Sequence, residues 1–151
     1  MKKNLHQKLE KMTREQLLDF IDMLSESSAI EDTMQLLLCP TQKDINKAFR
    51  SFERWCESNA YGHPTVKKED GLAEATYVLL YALSNCDPKT QAAKLYQMIH
   101  ALHEIIDFCE PAYEICYDCK QQLHELLVSH PESYSEEDIN RYREAIKELF
   151  D

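Results

Sequence analysis

Gln91–Leu127 reads QAAKLYQMIHALHEIIDFCEPAYEICYDCKQQLHELL, and its apolar residues set the fold class. Ala92, Leu95, Ile99, Leu102, Ile106 and Cys109 step by three and four, the spacing at which one face of an α-helix returns. Glu110-Pro111 interrupts the series, because proline lacks an N–H and restricts the residue before it. Ala112, Cys116, Cys119, Leu123 and Leu126 then repeat the pattern as far as His130-Pro131. Two apolar stripes joined by so short a break predict an antiparallel helix hairpin with the stripes face to face.

Working outward, the same punctuation recurs. Asp87-Pro88 is an N-cap followed by proline at the first helical position. Before it, LAEATYVLLYAL (72–83) is apolar nearly all round, which predicts a central helix covered on more than one side. That helix should run from about 66 to 85 after a Thr65 cap, with Gly71 inside it at about 1 kcal/mol relative to alanine. Thr41 caps a helix with the stripe Ile45, Ala48, Phe49, Phe52, Trp55 and Cys56. Ser28 with Glu31 and Thr13 with Gln16 have capping-box spacing. The first leads into Ile30, Met34, Leu37 and Leu38, the second into Leu17, Leu18, Ile21 and Leu24. Ser135 with Asp138 opens a last helix carrying Ile139, Tyr142, Ile146 and Leu149. Residues 2–11 add a polar lead-in helix, and SNAYGHPTVKKEDG (58–71) is the one long loop-like stretch.

Glycine supports this reading. The chain has 151 residues and two glycines, whereas a hairpin-rich β fold needs many residues at positive φ. The expectation is an all-α protein: one domain over 1–151, with about seven helices in antiparallel hairpins, as a bundle or a short HEAT-like solenoid. The segments 42–85 and 88–129 each approach the length of a HEAT-type repeat.

Charge and composition exclude several functions. No glycine-rich phosphate loop is present. The net charge is −10: residues 1–54 balance nine basic against nine acidic side chains, whereas residues 110–151 carry four against eleven. Without a Lys/Arg stripe a nucleic-acid partner is not expected, while a basic protein facing the acidic C-terminal third is allowed. The most apolar run, Ala75–Leu83, is too short to span a bilayer. The N-terminus lacks the apolar run of a secretory signal, so the chain is expected in the cytoplasm with its six cysteines reduced.

The order of motifs resembles a known family. REQLLDFIDML is followed by FRSFERWCESNAYG, then GLAEATYVLLYAL, a further long helix, and the acidic CYDCKQQLHELL. Over roughly residues 13–130 this resembles the helical region of bacterial proteins that carry a SWIM-type zinc finger. The finger itself, Cys-x-Cys followed later by Cys-x-His, is absent here, so no ligands carry over. The resemblance implies a bacterial all-helical module without assigned catalysis.

The chemistry-bearing residues concentrate where the two hairpin helices meet. Cys116-x-x-Cys119 lies inside a helix on the Ala112–Leu123 stripe, where cysteine behaves as a small hydrophobe; a redox CxxC instead exposes its first thiol at a helix N-terminus. His100, His103 and Asp107 share one helical stripe with Tyr96, flanking the core. HEIID (103–107) is one residue from HExxH, but Glu104 points away from Asp107 and no third ligand is evident. His63 is a loop histidine beside Pro64 without a placed partner, and the His124-Glu125 pair lacks a metal ligand four residues on. Phe49, Phe52, Trp55, Tyr77 and Tyr81 have no interleaved basic residues, so they are assigned to the core. The leading reading is a non-catalytic helical interaction module without cofactor, monomer or homodimer, binding a protein partner. The alternative is a zinc- or iron-binding protein using His100, His103, Asp107, Cys116 and Cys119.

Overall fold

The computed structural model describes residues 7–60, 62 and 64–147, apart from the side chains of Ser28, Ala29, Val66 and Lys67. Seven α-helices have both ends within these residues: α1 (Arg14–Ser25), α2 (Ser28–Leu38), α3 (Gln42–Asn59), α4 (Val66–Leu83), α5 (Pro88–His103), α6 (Glu110–Ser129) and α7 (Glu136–Ile146). A 3-10 turn, Pro131–Ser133, leads into α7, and the described residues contain no strand. Residues 7–9 are also helical, whereas the rest of the expected lead-in helix and Leu149 lie outside the described residues. No helix among the described residues is long and apolar enough to cross a membrane.

The chain divides into two compact units, one ending at Cys39 and one starting at Pro40. In the first, α1 packs on α2. Thr13 begins α1 with a complete capping box: Gln16 N donates to Thr13 Oγ1 at 3.2 Å, and Thr13 N donates to Gln16 Oε1 at 3.0 Å. The helix start expected at Ser28 shifts by one residue, and the Ser28 side chain lies outside the described residues. Ser27 is the N-cap of α2, without a side-chain cap bond, and Ser28 is already helical.

In the second unit the α5–α6 hairpin is the centre. Ala92, Leu95, Met98, Ile99 and Leu102 face Ala112, Ile115, Cys116, Cys119 and Leu123, and none of the ten exceeds 2% exposure. Each large apolar side chain so buried contributes about 1.5–3 kcal/mol. Helix α3 packs on α4 and α5, α4 also on α6, and α7 on α6 and α5. Of the α3 stripe, Ile45, Phe49, Phe52 and Cys56 are buried and Ala48 and Trp55 half-buried. Tyr134 ties the lead-in of α7 to the start of α5 by donating its hydroxyl to the Pro88 carbonyl at 3.1 Å. Capping supports the helix starts: Thr41 and Asp44 form a second capping box, and Asp87 accepts from Thr90 N at 2.9 Å with Pro88 following it.

Two expectations need correction. Helix α5 stops at His103, not at Cys109, and residues 104–108 form turns closed by Ile105 N to Leu102 O and Phe108 N to Ile105 O, both 3.0 Å. These tighter turns rotate Ile105 into the core at 0% exposure and leave Ile106 half-buried. Helix α4 is not covered all round. Leu72, Thr76, Leu79, Leu80 and Leu83 are buried, while Tyr77 and Tyr81 are 48% and 58% exposed. It ends two residues early, because the Ser84 hydroxyl donates to the Tyr81 carbonyl at 2.6 Å and the Asn85 amide to the same oxygen at 3.3 Å.

Candidate functional site

The histidines and cysteines separate into two environments. His100 and His103 are exposed in the last turn of α5, and Asp107 is exposed in the turn beyond it, so the shared helical stripe does not extend to Asp107. Cys116 and Cys119 are 1% and 0% exposed inside α6. Burial pushes the Cys119 thiol far up, with Cys116 and Asp118 beside it adding to the shift. Cys56 is pushed up to about 12, mainly by burial and then by the neighbouring Cys109. Such thiols are poor nucleophiles at neutral pH. None of the six cysteines is in a disulfide, and Cys39 is the exposed one. Among the described residues no three His, Cys, Asp or Glu side chains are grouped to hold a metal ion. The structure therefore brings His100 and His103 to one cleft and the CxxC pair to the core, without joining the two sets. His63 lies outside the described residues, and His124 is half-buried on α6.

Three clefts among the described residues of the second unit bear on these side chains. One of about 230 Å³ between α5, α6 and α7 contains His100, His103, Lys120, Arg141 and Glu144. Arg141 lies over the Tyr96 and Tyr142 rings at 5.3 and 5.0 Å and pairs with Asp138 at 2.6 Å. A second of about 510 Å³ between α3 and α5 is lined by Glu53 and Glu57 of α3 and by Tyr96, His100 and the C-cap Glu104 of α5. Tyr96 and His100, in edge contact with ring centroids 4.5 Å apart, thus line both.

The third cleft, about 550 Å³, runs mainly between α4 and α6 and has the most distinctive surroundings. Tyr77 and Tyr81 of α4 line it opposite Glu125 and Leu126 of α6. Tyr77 donates its hydroxyl to Asp118 Oδ2 at 3.3 Å, bridging the helices. Burial raises the Tyr77 phenol above its ordinary range, and the Asp118 and Glu114 carboxylates raise it further. Farther along α6, Tyr113 is 66% and Tyr117 47% exposed, and Gln121 donates to the Tyr117 hydroxyl at 3.2 Å. Four large aromatic side chains are therefore exposed on two packed helices, and the carboxylates Asp118 and Glu125 stand beside the α4 pair, whereas Tyr113 and Tyr117 lie on the other flank of α6 by helical spacing.

Sequence reasoning placed Tyr77 and Tyr81 in the core and passed over Tyr113 and Tyr117. The missing signal was a second register. Each pair is spaced i, i+4, and the α6 pair falls one residue after Ala112 and Cys116, roughly 100° around the helix from the buried stripe. Compared with known proteins, the chain matches no family model, no curated protein and no solved structure.

Proposed function

We propose that this chain is a non-catalytic helical interaction module whose α4–α6 face docks a basic segment of a partner protein. The exposure of Tyr77 and Tyr81 beside the Asp118 and Glu125 carboxylates carries the reading. Tyrosine brings large amphipathic contact area at a small entropy loss, and it is enriched at the energetic centres of protein interfaces. The carboxylates around these rings favour lysine and arginine on the incoming chain and speed its approach. The partner segment accordingly combines Lys/Arg with at least one apolar anchor for the Tyr77–Tyr81 cleft. A cytoplasmic setting accords with six cysteines that form no disulfide, four of them buried.

A displayed random-peptide library selected on the full chain tests this directly. The expected result is enrichment of basic, apolar-anchored sequences whose binding weakens with salt and is lost in the Tyr77→Ala, Tyr81→Ala double variant. Enrichment of acidic or uncharged sequences, no enrichment at all, or binding indifferent to that variant would overturn it.

A further inference from the structure

The first unit poses a physical problem of its own. Among its described side chains none is buried, although α1 carries six large apolar residues. Leu17, Phe20 and Leu24 are half-buried, on one stripe by helical spacing. Leu18 (49% exposed) and Ile21 (36%) extend that stripe around one flank. Arg14, Leu18 and Asp22 follow one another at i, i+4 and i+8, so Leu18 sits between a basic and an acidic residue along a single line.

The order of those charges runs against the helix itself. Arg14 is at the first position with Glu15 beside it, Asp22 and the C-cap Glu26 are at the far end, and the last turn holds no basic residue. The macrodipole favours the reverse arrangement, so in a lone helix this order is unfavourable. Against a second, antiparallel copy it becomes complementary. Around a two-fold axis at Leu18, Arg14 meets Asp22 of the second copy, and Asp22 meets its Arg14. A parallel pair would instead set arginine on arginine and aspartate on aspartate.

We propose that α1 is a self-association surface: two copies of this chain pair antiparallel through Leu18 and Ile21, with reciprocal Arg14–Asp22 contacts. Such an isologous contact closes on itself and produces a dimer, not a filament.

Sedimentation equilibrium of the full chain over a range of concentrations reads the outcome. The wild type is expected to move from one chain mass to two. Arg14→Asp and Asp22→Arg should each weaken self-association by about tenfold. Mixed in equal amounts, these two variants should form a heterodimer, because every facing pair is then opposite in sign. Both substitutions suit the helix dipole better than the native residues, so unfolding of α1 would not explain a loss. A monomeric mass at every concentration overturns the proposal, whatever else then covers Leu18. A dimer unaffected by either reversal overturns it too, as does a mixture no more associated than its components.

Discussion

Thr76→Val should stabilise this protein, although the hydroxyl it removes lies deep in the folded chain. Thr76 is 0% exposed in α4, and among the described residues its Oγ1 has no hydrogen-bond partner. A threonine inside a helix commonly satisfies its hydroxyl on the carbonyl four residues back; that bond to Leu72 is not made here. A buried hydroxyl left without a partner loses its hydration for no return, at about 1–3 kcal/mol. Valine has nearly the same shape and a similar helix propensity, so packing and backbone terms almost cancel. The expected gain is about 1–2 kcal/mol, or roughly 3–8 °C in melting temperature for a domain of this size. Urea unfolding followed by far-UV circular dichroism should show a higher midpoint with an unchanged slope. Thr76→Ser is the counterpart: it retains the hydroxyl, deletes a buried methyl and should cost about 1 kcal/mol. A Thr76→Val protein no more stable than wild type would refute the reasoning, because it would mean that the hydroxyl has a partner.

Gly71→Ala should add about 1 kcal/mol by the same assay, since Gly71 is exposed within α4 and an added Cβ would meet no atom within 4 Å. Tyr134→Phe should cost about 1 kcal/mol by removing the bond to the Pro88 carbonyl; an unchanged urea midpoint would show that bond to be idle. The buried thiols make stability fall at alkaline pH. A folded pKa raised to about 12 at Cys56 contributes stability that is complete below its ordinary value of 9.0 and lost as pH rises through 12. Cys56→Ala should flatten the stability profile across that window, and an equally steep profile in the variant would assign the loss elsewhere. Protein purified without an affinity tag should carry sub-stoichiometric zinc and iron and melt identically with and without chelator, because the Cys116 and Cys119 sulfurs are sealed in the core; stoichiometric metal lost on Cys119→Ala would contradict that.

What was legible in the sequence follows from which forces act locally. Helix starts at Thr13, Thr41, Asp87 and Ser135 were readable because a cap depends on a residue and its neighbour three positions on. The α5–α6 hairpin was readable because its apolar residues hold one period over more than thirty positions. Failure came where tertiary packing decides. The spacing of Ile106 continues the α5 stripe, yet tight turns after His103 bury Ile105 in its place. Likewise Tyr77 and Tyr81 are apolar enough to extend the Leu79–Leu83 face, and only the neighbours of α4 determine that they stay outside. The His/Cys set failed as a unit for the same reason: sequence proximity across Glu110-Pro111 put five candidate ligands within twenty residues, but the stripes carry the sulfurs inward and the histidines outward.

The two proposed surfaces reinforce each other if both act. One chain offers a single tyrosine face, whereas a dimer formed through α1 offers two. A partner with two basic segments then binds its second site at the effective concentration set by the span between them, and gains avidity without any new contact. The Arg14→Asp and Asp22→Arg variants separate these effects, since each should leave the affinity for a single-segment peptide unchanged. For a tandem peptide each should lose the avidity gain, and their mixture should regain it. A tandem peptide bound no more tightly than a single one by the wild-type dimer would mean that the two faces cannot be engaged together.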